Sequence, residues 1–115
     1  MNQVDSFIEN LKPDKAALLQ FLMKMVFECD KLLTARIASG LPFIYGKKGI
    51  CYFNVKPSGI DVGFMSGVKI STRPEFIIAD RVQVRSLFFR WEDDVNVLLL
   101  KEVVNEAVEL DRSRK

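Results

Sequence analysis

From Thr34 to Trp91 the chain reads with a period of two, clearest over residues 51–64, and this pattern constrains the fold more than any other feature of the chain. Cys51, Phe53 and Val55 alternate with Tyr52 and Asn54, and Ile60, Val62 and Phe64 alternate with Asp61 and Gly63. Strands patterned this way have one face that must be buried, because successive side chains point to opposite sides. The turns between them are equally marked. KPSG (56–59) places Pro where its fixed φ suits a type I turn and Gly where φ is positive, and GKKG (46–49) serves one hairpin earlier. The expectation is a meander over residues 41–46, 50–55 and 60–65. Its first hairpin is SGLPFIYGKKGICYF (39–53), with Gly40 and Pro42 shaping the approach to the strand. A long strand is expected over 81–91, with Val82, Val84 and Phe88 on one face and Arg81, Gln83, Arg85, Phe89 and Trp91 on the other. SGVKISTRPEFIIAD (66–80) shows no clean period and is expected to be a connection with a short element around 75–78.

Helical periodicity brackets this region. Residues 4–11 suit a short helix, Pro13 a break, and Asp14 an N-cap for a longer helix over 15–32. On that helix Leu18, Leu22, Met25, Cys29 and Leu32 form one apolar stripe, Leu19, Met23 and Phe27 another, and Phe21 widens the coverage. Such a helix is buried on more than one side, in the domain core or against a second subunit. Glu92, Asp93 and Asp94 then stand where negative charge favours a helix N-terminus, ahead of a stripe of Val97, Leu100, Val104, Ala107 and Val108. The fold class is therefore α+β: two N-terminal helices, an antiparallel sheet of about five strands and a C-terminal helix.

A chain of 115 residues suits one core, so residues 1–115 are expected to be a single domain, folding alone or as a homo-oligomer. With 49% hydrophobic and 28% charged residues the composition is that of a globular protein. Asp5 and Glu9 interrupt what a secretory signal would need, and Gln20 and Lys24 break the most apolar run, so the expectation is a cytoplasmic protein with no membrane span. Cys29 and Cys51 lack paired spacing and are expected to stay free thiols. There is no histidine, which removes Ser-His-Asp and Cys-His catalysis and the HExxH zinc helix. No GxxxxGK[ST] loop occurs, and Gly59, Gly63 and Gly67 recur every four residues rather than as GxGxxG. A non-enzymatic role is the expectation.

This order of elements, with Gly40, Pro42 and Tyr45 in the first hairpin, Ile50-Cys51-Tyr52 in the next strand and Gly63-Phe64-Met65 followed by Gly67, resembles the YdhG-like domain of unknown function. VQVRSLFF and NEAVEL resemble that family's last strand and last helix, while Ser39 stands where a Trp is frequent. One branch of the family is described as frataxin-like intracellular iron chaperones. The resemblance therefore implies iron held by carboxylates and delivered to an iron-acceptor protein for haem or iron-sulfur assembly.

The charge distribution separates this reading from its rivals. Net charge is only +2, so nucleic acid is a disfavoured partner, yet residues 31–90 hold ten Lys and Arg against three Asp and Glu. For metal delivery the candidates are Glu102, Glu106 and Glu109, one face of the last helix, with Asp5, Glu9, Glu92, Asp93 and Asp94 as further carboxylates. The spacing also suits an ordinary solvated face. For a small-ligand or anion-binding module the candidates are Arg36, Arg81, Arg85 and Arg90, with Phe43, Tyr45 and Trp91 as stacking surfaces. A third reading is a homodimeric interaction domain joined through the second helix.

Overall fold

The computed structural model describes residues 2–71, 78–79 and 84–113. Helices α1 (Gln3–Glu9) and α2 (Pro13–Phe27) precede strands β1 (Thr34–Ala38), β2 (Leu41–Tyr45), β3 (Gly49–Lys56), β4 (Gly59–Phe64), β5 (Ile78–Ala79) and β6 (Arg85–Phe89), and α3 (Val97–Arg112) closes the chain. The strands form one antiparallel sheet of order β1-β2-β3-β4-β6-β5, so the α+β architecture is the one the periodicity dictates. β5 is only two residues long. Alternation decides which face is buried. Ile44, Cys51, Phe53, Val62, Phe64, Leu87 and Phe89 enter a single core with Leu18, Leu19, Leu22 and Val26 of α2 and Leu100, Val103 and Val104 of α3. Helices α1, α2 and α3 all contribute to this core.

The helix ends depart from the sequence expectation for local reasons. Lys12, not Asp14, is the N-cap of α2, and Pro13 opens the helix at its first position, where its missing N–H costs nothing. The helix stops at Phe27 rather than running to Leu32. The Asp30 side chain accepts the Leu32 N–H at 2.8 Å, a local turn that competes with helix continuation. Leu32 leaves the stripe and stands 80% exposed. Phe21 and Phe27 pack partly buried against the core.

At the other end, Glu92–Asp94 form a separate 3-10 turn, and the N-cap of α3 is Asn96, whose side chain accepts the Leu99 N–H at 3.0 Å. An uncharged Asn oxygen caps as well as a carboxylate, and the acids serve the turn instead: Asp94 accepts the Arg90 N–H. Lys101 donates to Glu28 at 2.7 Å, tying α3 to the end of α2. The ammonium holds Glu28 below the usual carboxylate range, so this tether contributes above that range and is lost as pH falls.

The sheet begins one strand earlier than expected. β1 pairs with β2 through a tight turn in which Ser39 and Gly40 both have positive φ, 53° and 79°, the backbone of the two-residue hairpin that matches strand twist. SGLPFIYGKKGICYF is therefore the second hairpin, not the first. The expected strand start at Arg81 and most of the 75–78 element lie outside the described residues. The described strand β6 runs only from Arg85 to Phe89.

Both cysteines are free. Burial raises the Cys51 thiol far above its ordinary range, and Cys29, whose Sγ donates to the Met25 carbonyl, is raised by partial burial. A thiol reagent at pH 8 should modify Cys29 slowly and Cys51 only on unfolding, countable by intact mass. Equal labelling of both thiols in the native protein would contradict the burial described.

Candidate functional site

On the sheet face opposite the core, register places one residue of each of five strands in a transverse row: Arg36, Phe43, Tyr52, Gly63 and Ser86 on β1, β2, β3, β4 and β6. Phe43 and Tyr52 stack with ring centroids 5.2 Å apart, and Phe43 and Tyr45 with centroids 5.8 Å apart. These are tilted pairs within the range where aromatic contacts add to simple burial. The Arg36 guanidinium carbon lies 4.1 Å above the centre of the Tyr45 ring. The result is a short ladder of one cation and three rings at the β1 edge of the sheet.

Gly63 makes this ladder fit. A Cβ at that position would lie 2.5 Å from Tyr52 Cε1 and 2.6 Å from its hydroxyl oxygen, so the tyrosine ring lies flat across the glycine. Tyr52 is thereby only 5% exposed although among the described residues no helix covers this face. Phe43 and Tyr45 remain half-buried and Arg36 is exposed. Among the described residues no side-chain hydrogen bond or ion pair engages the Arg36 guanidinium.

Three of the five expected ligand-binding residues, Arg36, Phe43 and Tyr45, are thus brought together. Arg85 is not. Its register partner is Phe64, a core residue, which puts Arg85 on the helix-covered side, where it donates to the Val84 carbonyl at 3.1 Å. Its own backbone and Cβ lie where a side chain on Gly67 would stand. A period of two gives relative parity but not which parity is buried, and the parity of β6 is fixed by Leu87 and Phe89. Arg81 lies outside the described residues. Arg90 and Trp91 are exposed beyond the end of β6, two strands away from the ring ladder.

The glutamates of α3 are dispersed in their use. Glu106 accepts the Ser71 N–H at 2.6 Å and the Ser71 hydroxyl at 3.1 Å, Glu109 faces Arg112 at 3.6 Å, and Glu102 is half-buried with a partner of its own. Among the described residues no group of three His, Cys, Asp or Glu side chains is close enough to hold a metal ion. Helical spacing places the three glutamates on one face, and of these Glu106 meets Ser71 while Glu109 meets Arg112.

No family model, curated protein or solved structure matches this chain. Among the described residues no helix is long and apolar enough to cross a membrane.

Sequence reasoning missed one residue that matters for both hairpin and helix. Asp111 is 5% exposed and accepts the Lys47 N–H at 2.6 Å and the Lys48 N–H at 3.0 Å. Lys47 Nζ donates in return to the Arg112 carbonyl at 2.9 Å, and Arg112 pairs with Asp30. The last turn of α3 therefore fastens the GKKG turn that positions Phe43, Tyr45 and Tyr52. A signal was present: Asp111 follows Val104 and Val108 at helical spacing, a carboxylate on the buried stripe, and a buried carboxylate needs donors.

Proposed function

We propose that this protein is a small-ligand binding module whose sheet face opposite the core takes a planar anionic molecule. The observation that carries the reading is the exposed Arg36 guanidinium stacked on Tyr45 beside Phe43. A guanidinium stacked on a ring keeps its in-plane N–H fork directed outward, and that fork matches a carboxylate or phosphate bidentately. The neighbouring rings offer an apolar plane for the ligand body. An aromatic carboxylate or a mononucleotide combines both parts. The basic balance of residues 31–90 favours the approach of such anions.

The iron-delivery reading drawn from the YdhG-like resemblance has less to support it, because Glu106 is committed to Ser71 and the glutamates do not converge. Calorimetric titration with a panel of mononucleotides and substituted benzoates, at about 150 mM salt to screen nonspecific attraction, tests the binding reading. Arg36→Ala should weaken the best ligand roughly ten- to hundredfold, the equivalent of about 1.5–3 kcal/mol for a charge-assisted hydrogen bond. Arg36→Lys should recover little of it, since a lysine is a point charge without the planar fork. Equal affinity in all three proteins would remove the site.

A further inference from the structure

Strand β1 stands at one end of the sheet order and pairs with β2 alone. We infer that its outer edge takes an extended peptide as a further antiparallel strand, with an acidic peptide residue opposite Arg36 between two small apolar ones. Which backbone groups of β1 face outward follows from its partners. Pro42, opposite Ile37, has no N–H, so these two residues cannot be a pair that exchanges two hydrogen bonds. Such pairs alternate along an antiparallel ladder. Arg36 therefore bonds to Phe43, while Ala35 and Ile37 direct their N–H and C=O groups away from β2. Among the described residues no other backbone group meets them. A strand laid along this edge finds a donor and an acceptor on each of the two residues, the main-chain basis of recognition by strand addition.

Side-chain parity selects the peptide. Ala35 and Ile37 pack against the core, whereas Thr34 and Arg36 are exposed on the ring face. A cleft of about 200 Å3 separates β1 from the start of α1, lined by Asn2, Gln3, Val4, Ala35, Arg36 and Ile37. Peptide residues opposite Ala35 and Ile37 point to the same side as those two side chains, toward this cleft and its apolar Val4. The residue between them points to the ring face and stands directly opposite Arg36, where a carboxylate reaches the guanidinium. Arg36 is the one ionisable residue in the lining, so a basic peptide residue at this position meets only repulsion. A second copy of this chain suits the edge less well, because the pairing centred on Arg36 sets two guanidinium groups against each other.

The test is an NMR titration of the full chain with the peptide acetyl-Thr-Val-Glu-Val-Thr-amide. The expected result is saturable amide shifts centred on Ala35, Arg36 and Ile37, with the peptide carrying Lys in place of Glu at least about tenfold weaker. Methylating both valine nitrogens removes the donors that face β1 and should abolish binding, whereas methylating the Glu nitrogen, which faces solvent, should preserve it. Ala35→Pro removes an outward N–H and no bond of the β1–β2 ladder, so it should weaken the peptide about tenfold with the fold intact by amide dispersion. Arg36→Glu should reverse the preference in favour of the Lys peptide. The planar anion of the ring face shares Arg36 but not the β1 backbone, so Ala35→Pro should leave its binding unchanged, and failure of the edge and failure of the ring face are separate results. Absence of saturation, equal binding of the Glu and Lys peptides, undiminished binding of the doubly methylated peptide, or a dimer of the chain joined through β1 that the peptide does not displace would overturn the inference.

Discussion

Replacing Asp111 with alanine should lower the melting temperature by roughly 10–15 °C, one of the two largest effects expected from a single change in this chain. The substitution removes the acceptor for the Lys47 and Lys48 N–H groups, while the Lys47 Nζ hydrogen bond to the Arg112 carbonyl still ties the turn to α3. Hydrogen bonds to a charged acceptor contribute about 1.5–3 kcal/mol each, part of which water recovers at a half-open turn, so a loss of about 3 kcal/mol is expected. For a domain of this size each kcal/mol corresponds to roughly 4 °C. Asp111→Asn keeps the shape but offers one amide oxygen for two donors, and it should fall between wild type and alanine. Gly46 reports on the same contact from the other side. A Cβ there would run into Asp111 Oδ2 and approach Ile50 Cδ1 to 3.1 Å, so Gly46→Ala should also destabilise. Thermal melts of the three variants check the set, and an unchanged Asp111→Ala melt would show that the latch carries no stability.

Gly63→Val should combine a stability loss of about 1–3 kcal/mol with loss of ligand binding, the first from overpacking and the second from displacement of the ring ladder. The branched side chain would occupy the space that the Tyr52 ring fills. Tyr52 cannot swing away cheaply, because it is buried and stacked on Phe43. Moving it shifts Phe43 and, through Phe43, the Tyr45 ring beneath Arg36. Gly63→Val paired with Tyr52→Ala relieves the clash, so the double variant should be more stable than the sum of the two single changes. A double-mutant cycle reads this coupling directly. Additive effects would mean that Gly63 and Tyr52 are not packed as described.

What the sequence made legible follows the range over which each signal acts. Alternation within β3 and β4 is local, so Cys51, Phe53, Val62 and Phe64 could be assigned to one face from the residues alone, and they are core residues. TARIA alternates too, with Ala35 and Ile37 packed against the core and Thr34 and Arg36 exposed, but it is only five residues long and is followed by a turn whose Ser39 backbone is unusual for a non-glycine residue, so the expected meander began a strand too late. The ends of α2 and α3 turned on competition between neighbouring side chains. Pro13 displaced Asp14 from the cap, the Asp30 turn ended the stripe before Leu32, and Asn96 capped where three acids stood closer to the strand.

The candidate site was half legible for the same reason. Phe43 and Tyr45 lie two residues apart on one strand, and their common face follows from pleat geometry. Arg36 joins them only because β1 pairs with β2 in the register that puts it beside Phe43. Arg85 failed because the parity of β6 depends on which of its residues meet the helices. The Asp111 latch joins residues 63 and 64 positions apart, a distance at which only the folded chain reveals the partner. The α3 glutamates keep their helical spacing, and contacts that spacing does not reveal, Ser71 with Glu106 and Arg112 with Glu109, engage two of them.

The most direct measurement is an NMR titration of the full chain with the mononucleotide or benzoate that binds best, following the Arg36 side-chain Nε–Hε signal and the ring protons of Phe43, Tyr45 and Tyr52. The ring-face account predicts saturable shifts centred on Arg36, Phe43 and Tyr45, with smaller shifts at Tyr52 and none on α3. Shifts that centre on Glu102, Glu106 or the end of α3 while Arg36 and the rings stay fixed would contradict it.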